Sequence, residues 1–398
     1  MGVEQSKAAA GANLEQHRLW ARDWLFGAAL PLWWRAGADR RNGGFHDKLD
    51  QQARPVDAPK RLRVQARQIF VYAEAGRLGW DGPWREAVSH GLGFMLSAYR
   101  REDGLFRPSV TPTGEPLSGE PDLYDQAFVL FALAAAHGAL PEDPAPRREA
   151  EALLDRLEAL LAHPERGFEE AQPRRLPLRS NPHMHLLEGL LAWIGAGGGE
   201  RFERHARAIV DLAQERLIDP ETGAVGEYYG GDWRIADGAE GRVREPGHQF
   251  EWAYLLHWAD RVLGGDCCAQ SARLLGFGNR HGVRDGRVLF SLDQAGGVLD
   301  GTSRLWAQTE RLRTMLTLAH DMPAGAGHSA ALESLATLRR HLDVPVRGLW
   351  LDQADAAGTL LDEPAPASTF YHIMTGVAPL LDVPVATAPS IASARSLA

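Results

Sequence analysis

A histidine and a glutamate three residues apart are the clearest candidates for acid–base chemistry in this sequence. They are His248 and Glu251 in the stretch EPGHQFEW, which opens an apolar-periodic segment continuing as AYLLHWADRVL. Pro246 and Gly247 break the chain just before it, so the pattern predicts a helix with both residues in its first turn. A carboxylate on the same helix face can fix the tautomer of a histidine and raise its pKa, as proton transfer near neutral pH requires. The same pair also occurs as an ordinary first-turn arrangement, in which the helix dipole favours the glutamate.

Glycine-rich breaks divide the chain into six units of similar length. Each break follows a helical segment and carries a glycine, an apolar or aromatic residue and a short alternating run, which is typical of loops or small hairpins. The marker glycines are Gly44, Gly104, Gly167, Gly223, Gly286 and Gly348. The intervals between them are 60, 63, 56, 63 and 62 residues. A repeat of this regularity indicates six copies of one structural unit.

Each interval has room for two helices of ordinary length, for example 64–78 with 84–100. Helical pairs of this kind cannot bury their apolar faces alone and must pack on each other. The sequence therefore predicts an all-α protein, an (α/α)6 barrel of six helical hairpins with small β-hairpin loops at one mouth. We expect this single catalytic domain to span residues 13–383. Residues 1–12 are small and polar and residues 384–398 are low in complexity, so both are predicted to be tails outside the barrel.

Unusual polar clusters recur at one phase of the repeat. Each lies 18 to 25 residues after its marker glycine, where the first helix of the unit begins, and the clusters centre on Arg67, Tyr124, His185, His248, Trp306 and His372. In a closed barrel six such helix starts surround one mouth. Residues far apart in sequence are therefore predicted to line a single pocket.

The composition of these clusters favours a neutral, polyhydroxylated ligand. Directional hydrogen bonds are available from Arg67, Tyr124, Asn181 and Gln308, and Trp252, Trp306 and Phe370 offer apolar faces for a sugar ring. Glu188 is placed to orient His185. Glu310 is counted with the substrate-binding candidates, and it is also placed to anchor Arg67 or Arg244 from outside the pocket. Arg67 has an equally good structural interpretation as a buried ion-pair partner, and His183 fits a loop-bonding role better than a catalytic one.

Charge and motif content exclude several other classes. The formal net charge is −9 and the isoelectric point is near 5.9, which argues against nucleic acid or an anionic membrane as partner. The sequence has no apolar run of transmembrane length, and its polar start lacks the core of a signal peptide, so we expect a cytoplasmic enzyme. Neither a phosphate-binding glycine loop nor an HExxH motif occurs, and the i, i+2 spacing of His183 and His185 points them to different sides of a helix, where they cannot easily share one ion. We therefore expect no metal and no cofactor, a small-molecule substrate, and a monomer or homodimer.

The motifs also carry a family resemblance over roughly residues 40–380. The set QARQIF, YDQAF, NPHMHLLE, EPGHQFEW, LWAQTE and STFYHI resembles the N-acylglucosamine 2-epimerase superfamily, and within it the D-mannose isomerase branch. The resemblance implies an (α/α)6 barrel and metal-free proton transfer by His248 and His372, with His185 assisting ring opening. It also implies substrate-pocket positions at Arg67, Tyr124, Asn181, Glu251 and Trp306. Cellobiose epimerases carry a tryptophan where this chain has Phe370, which disfavours a disaccharide substrate.

The expected reaction is the interconversion of D-mannose and D-fructose through a cis-enediol. Glu251 would tune His248, and Arg67 would hold the developing oxyanion. Return of the proton to C2 from the opposite face would instead give 2-epimerisation of a free aldose, such as mannose, an N-acylglucosamine or cellobiose. Two further classes stay open: a glycoside hydrolase using two of Glu251, Glu310 and Asp125, and a sugar-binding barrel without catalysis.

Overall fold

Helices with apolar side chains on every face form an inner ring. The computed structural model describes residues 2–117, 119–319 and 326–382. Within these ranges the inner helices are α3 (Leu62–Arg77), α5 (Leu123–Ala139), α7 (Ser180–Gly195), α9 (Pro246–Leu263), α11 (Leu305–Leu318) and α13 (Ala367–Leu381). Each packs against the next in sequence, and α13 packs against α3. The ring is therefore closed, as the six-unit repeat predicts.

Amphipathic helices form an outer ring around this core. They are α1 (Gly2–Trp24), α4 (Trp84–Ala98), α6 (Ala145–Leu160), α8 (Glu200–Leu212), α10 (Cys268–His281) and α12 (Ala326–Leu342). In α8 the buried residues Phe202, Ala206, Ile209 and Val210 follow the helical repeat, so that one face packs inward and the charged face meets solvent. The predicted all-α (α/α)6 barrel is confirmed.

The sixth hairpin is built from the two ends of the chain. Helix α1 packs against α13 and continues through a π-helical turn (Leu25–Ala29), α2 (Leu30–Leu32) and a second π-helical turn (Trp33–Gly37). The backbone of residues 2–12, predicted to be a tail, is thus part of α1, although its side chains are not among those described. The predicted tail 384–398 lies outside the described residues. No helix in the described ranges is both long and apolar enough to cross a membrane.

Short strands connect neighbouring units at one mouth of the barrel. The strands are β1 (Lys48–Leu49), β2 (Lys60–Arg61), β3 (Ser109–Val110), β4 (Leu178–Arg179), β5 (Tyr228–Tyr229), β6 (Val283–Arg284), β7 (Arg287–Val288), β8 (Ser291–Leu292), β9 (Val298–Asp300), β10 (Ser303–Arg304), β11 (Gln353–Ala354) and β12 (Ala365–Pro366). Among the strand pairs named here in the described ranges, β6–β7 and β8–β9 are hairpins. The antiparallel pairs β2–β3, β4–β5, β10–β11 and β12–β1 each join the entry of an inner helix to the loop of the next unit.

Two single bridges complete this ring of junctions, Asp122 with Ala171 and Arg244 with Leu292. Every inner helix therefore begins at a backbone contact with its neighbouring unit. The consequence for function is that the six helix starts are held in fixed positions around one opening. Small hairpin loops are also present as predicted, since local antiparallel bridges such as Arg100 with Phe106 and Ile218 with Val225 close the loops that carry marker glycines.

A buried glutamine fixes most of the marker loops. Gln308 illustrates the arrangement: its Oε1 accepts from the Val288 N–H at 2.8 Å and its Nε2 donates to the Val288 carbonyl at 3.0 Å. Gln65, Gln126 and Gln249 bond Phe45, Phe106 and Val225 in the same way. The marker glycines before these loops all have positive φ, from 69° at Gly44 to 102° at Gly348, which glycine adopts without strain. Gln308, predicted to bind substrate, is instead a structural residue.

Replacing Gln308 with alanine should lower the free energy of unfolding, because the Val288 amide and carbonyl would lose their partners. Each buried backbone group left unpaired costs roughly 1–3 kcal/mol. Urea unfolding measures the loss. Asn181→Ala is the matched control, since that side chain does not bond a loop backbone. An unchanged unfolding midpoint for Gln308→Ala would contradict the structural role.

Candidate active site

The starts of the inner helices surround a cavity of about 340 Å³. It is lined by Lys48, Arg61, Arg67, Tyr124, Asn181, His185, Glu245, His248, Glu251, Phe290, Arg304, Trp306, Asp352, Gln353, Glu363, Pro364, Pro366, Ser368, Thr369 and His372. All six helix-start clusters contribute to it, so the convergence expected from the repeat is observed. Gln308 and Glu310 do not line the cavity, although both were predicted to bind substrate.

His248 is held by a glutamate from another part of its unit. Its Nδ1 donates to Oε2 of Glu227 at 2.8 Å, and Oε2 of Glu245 lies 3.7 Å from the same atom. Burial alone would lower the pKa of His248, but the charges of Glu227 and Glu245 outweigh burial and raise the pKa to about 10. The ring is therefore an imidazolium near neutral pH. The carboxylate bonded to Nδ1 of His248 is therefore Glu227 and not Glu251, which was expected to tune this histidine and is the smallest of the named causes that raise its pKa.

His372 has the opposite protonation state. Its Nδ1 lies 2.8 Å from Oε1 of Glu310, while burial and then the positive charge of Arg67 lower its pKa well below the usual range. With Nδ1–H donating to Glu310, the Nε2 of the neutral ring keeps its lone pair. Glu310 thus orients His372. Glu310, on α11, bonds His372 on the neighbouring helix α13. It therefore does not anchor Arg67 or Arg244 as predicted.

His185 is bound by a glutamate on its own helix. Its Nδ1 lies 3.2 Å from Oε2 of Glu188, which confirms the orienting role predicted for that carboxylate. The imidazole packs against Phe128, with ring centroids 4.4 Å apart, and burial lowers its pKa. His183, two residues earlier, accepts the Phe168 N–H through Nε2 at 3.0 Å. His183 therefore takes the place that a loop-fixing glutamine has in four of the other units, and it has a structural role, as expected.

Arg67 reaches the cavity without a carboxylate partner among the described residues. Its Nη2 donates to the Tyr124 hydroxyl at 2.9 Å, and the guanidinium lies over the rings of Phe128 and Tyr371 at 4.3 Å and 5.1 Å from their centroids. The alternative of a buried ion pair is thereby excluded for the described carboxylates. The fixed positive charge is available to an oxygen of a bound ligand.

Trp306 lies between His248 and His372 in the cavity. Its ring centroid is 5.1 Å from that of His248 and 5.8 Å from that of His372, so it can support the apolar face of a ligand between them. Trp252 and Phe370, also expected to provide such faces, are both fully buried. Phe370 packs on Trp33 and Trp350 instead.

Asn181 contacts His248 in the cavity, because its Nδ2 lies 3.3 Å from Nε2 of that histidine.

Sequence reasoning missed the charged residues of the surrounding loops, which include Lys48, Arg61, Glu227, Glu245, Arg304, Asp352 and Glu363. The available signal was positional: each lies in, or directly after, a loop at the mouth of the barrel. Residue type gave no signal, since exposed loops are usually charged.

The fold also brings together acidic and imidazole groups that sequence spacing did not suggest. Three groups have ligand atoms within 4.8 Å of one another: His185 with Glu188 and Glu251, Glu227 with Glu245 and His248, and Glu251 with Glu310 and His372. Such groups have the donor types that bind divalent ions. The expectation of a metal-free site stays a prediction, and it needs a direct experiment.

Comparison with known proteins decides the family. Residues 43–376 match the sequence pattern of the N-acylglucosamine 2-epimerase (GlcNAc 2-epimerase) family. The chain belongs to this family. The match covers the barrel from its first marker loop to the last inner helix and includes both histidine–glutamate pairs. The resemblance inferred from the motifs is confirmed.

Relatives of this N-acylglucosamine 2-epimerase family member include isomerases and epimerases. A mannose-6-phosphate isomerase of Rhizobium meliloti (strain 1021) is 42% identical over 369 residues, 90% of this chain and 95% of the relative. Cellobiose 2-epimerase from Bacillus thermoamylovorans B4167 has a TM-score of 0.83 at 16% identity, covering 92% of this chain and 99% of that one. A D-mannose isomerase structure has a TM-score of 0.81 at 20% identity, covering 94% and 97%. The protein is therefore a sugar isomerase or epimerase with a sugar substrate, and the two structures support its fold.

Replacing Glu227 with glutamine should shift the pH dependence of this family member. The loss of a charge 2.8 Å from Nδ1 lowers the pKa of His248, so the alkaline limb of kcat/KM should move down by about 1–3 pH units. Turnover as a function of pH measures the shift. Glu221→Gln, an exposed carboxylate of the same unit, should leave the limb in place. If the limb does not move in Glu227→Gln, Glu227 does not set the protonation of His248.

Proposed function

We propose that the protein interconverts D-mannose and D-fructose. The observation that carries the proposal is the pair of buried histidines, His248 as an imidazolium and His372 as a neutral imidazole, on either side of Trp306 in one cavity. An acid and a base that coexist at neutral pH are what the transfer of protons between C1 and C2 requires. The names of the relatives, a mannose-6-phosphate isomerase and a D-mannose isomerase, support mannose as the aldose.

The reaction begins on the open-chain sugar, and we assign ring opening to His185. Neutral His372 takes the proton from C2, the C–H electrons form the C1–C2 double bond, and the C1 oxygen receives a proton from His248. Arg67 stabilises the negative charge that develops on the oxygen. His248 then removes the proton from the C2 hydroxyl while His372 returns its proton to C1, which leaves the ketone at C2. Both histidines end in their starting states.

The 2-epimerase outcome uses the same residues and stays the alternative. It follows if the enediol is protonated at C2 from the opposite face. Of the three carboxylates considered for a hydrolase, only Glu251 lines the cavity. Asp125 is paired with Arg63 at 2.9 Å, and Glu310 hydrogen-bonds His372 behind the cavity wall. The cytoplasmic location and the monomer or homodimer state stay predictions.

Chelator-treated protein should convert D-mannose reversibly to D-fructose, because the two histidine–glutamate pairs supply both the acid and the base. Fructose, glucose and mannose are quantified together by chromatography, with mannose 6-phosphate and cellobiose tested in parallel. Accumulation of glucose without fructose would establish the epimerase instead. Loss of turnover on chelation, with recovery on adding a divalent ion, would contradict the metal-free mechanism.

Alanine at His248 or at His372 should each lower kcat by ~10²–10⁴-fold, the range for a general acid or base. Because both side chains are at the cavity wall, the fold should be retained, and circular dichroism with the melting temperature checks this. His183→Ala, a buried histidine outside the cavity, is the control that should reduce stability more than the turnover of the folded protein. A fully active His372→Ala variant would contradict the two-histidine mechanism.

A further inference from the structure

Three buried carboxyl groups and one guanidinium form a cluster at the cavity wall, and of the four only Glu251 lines the cavity itself. Glu188, Glu251 and Glu310 come from three successive inner helices, and each is at most 1% exposed. Arg313 donates to Oε1 of Glu188 through both Nη atoms at 3.3 Å and lies 3.5 Å from Oε2 of Glu310. Its charge is therefore shared between two of the three carboxyl groups.

The same two carboxyl groups also receive the other donors of the cluster. Glu188 accepts from the hydroxyl of Tyr371 and lies within hydrogen-bond distance of His185. These bonds and Arg313 outweigh burial and lower the pKa of Glu188 to about 2. Glu310 is bonded by Nδ1 of His372. Glu188 is thus built to carry a negative charge, whereas burial raises the pKa of Glu310 to about 7 in spite of Arg313.

Glu251 has no such partners among the described residues. Its Oε1 is buried without a hydrogen bond, and the nearest imidazole nitrogen, Nδ1 of His185 at 3.8 Å, is already bound to Glu188. Nevertheless Glu251 lines the cavity. An ionised carboxylate in this position would be an uncompensated buried charge, which is far more costly than a buried neutral carboxyl group.

The groups that face Glu251 come from every helix packed against it. They are His185 and Glu188 on α7, Glu310 and Arg313 on α11, His372 on α13, and His248 on its own helix. Burial and the charges of Glu310 and Glu188 raise the pKa of Glu251 well above its usual range, against the lowering effect of His248 and Arg313. Burial and the neighbouring carboxyl groups thus outweigh the two cations that act on Glu251, Arg313 and the His248 imidazolium.

We propose that Glu251 is a neutral carboxylic acid that donates a hydrogen bond to a sugar oxygen at the reacting carbons. The proton stays on Glu251 throughout, so the group differs from the two histidines, which exchange protons with the substrate. A fixed donor of this kind interacts more strongly as the oxygen gains charge in the enediol, which stabilises the transition state more than the bound sugar. This role rests on the proposed isomerase or epimerase function.

Glutamine and alanine at residue 251 separate a neutral donor from a carboxylate. Glu251→Gln keeps the shape and an N–H donor but cannot ionise, so kcat should stay within about tenfold of wild type, whereas Glu251→Ala should lose ~10²–10³-fold, as for other donors to a developing oxyanion. The matched control is Glu310→Gln, in which an amide replaces the carboxyl group that accepts from Nδ1 of His372. It should be impaired more than Glu251→Gln. Equal and large losses in both Glu251 variants would overturn the proposal.

A second measurement needs no turnover. In difference infrared spectra at pH 8, wild type minus Glu251→Gln should show the C=O stretching band of a protonated carboxyl group. This measurement does not require Glu251→Ala to fold. Absence of the band would overturn the proposal even in an active enzyme. If wild type turns over no sugar, the proposed function fails, while the infrared band still decides the protonation of Glu251.

Discussion

Each of three histidines in the cavity hydrogen-bonds through Nδ1 to its own buried carboxyl group, and the chemistry of the site depends on this pairing. Glu227 holds His248, Glu310 holds His372 and Glu188 holds His185. A bond at Nδ1 fixes the plane and tautomer of the imidazole, so that Nε2 remains for the ligand. Because the carboxyl groups are buried, the orientation does not have to compete with water.

His248 and His372 differ in protonation because their surroundings carry different net charge. His248 lies beside the two acids Glu227 and Glu245, whereas the positive charges of Arg67 and Arg313 act on His372. Identical side chains are therefore stabilised in opposite protonation states, and one cavity contains an acid and a base at the same pH. This asymmetry gives two histidines of one cavity different protonation states without requiring different residue types.

The barrel architecture makes such precise placement feasible. The strand pairs and bridges fix the entry of every inner helix against the next unit, and the buried glutamines fix the loops on which the glycine markers lie. Helix starts held by backbone contacts are less mobile than free loops. The cavity-lining side chains of the inner helices lie within two turns of these fixed points, so small errors of position do not accumulate along the helices.

The sequence by itself determined the repeat, the inner and outer helices, and the phase at which Arg67, Tyr124, Asn181, His185, His248, Trp306 and His372 converge. These features follow from the apolar periodicity within each helix and from the spacing between each marker glycine and the next helix start, and both can be read along the chain. Only the tertiary structure decided that Glu227 rather than Glu251 binds His248, that Glu310 binds His372, and that Gln308 fixes a loop. The first two pairings join different structural elements, and periodicity within a helix carries no information about how neighbouring helices are rotated against each other. The closure of the ring by α1 was likewise decided by packing, because the two ends of the chain meet only once all six units are in place.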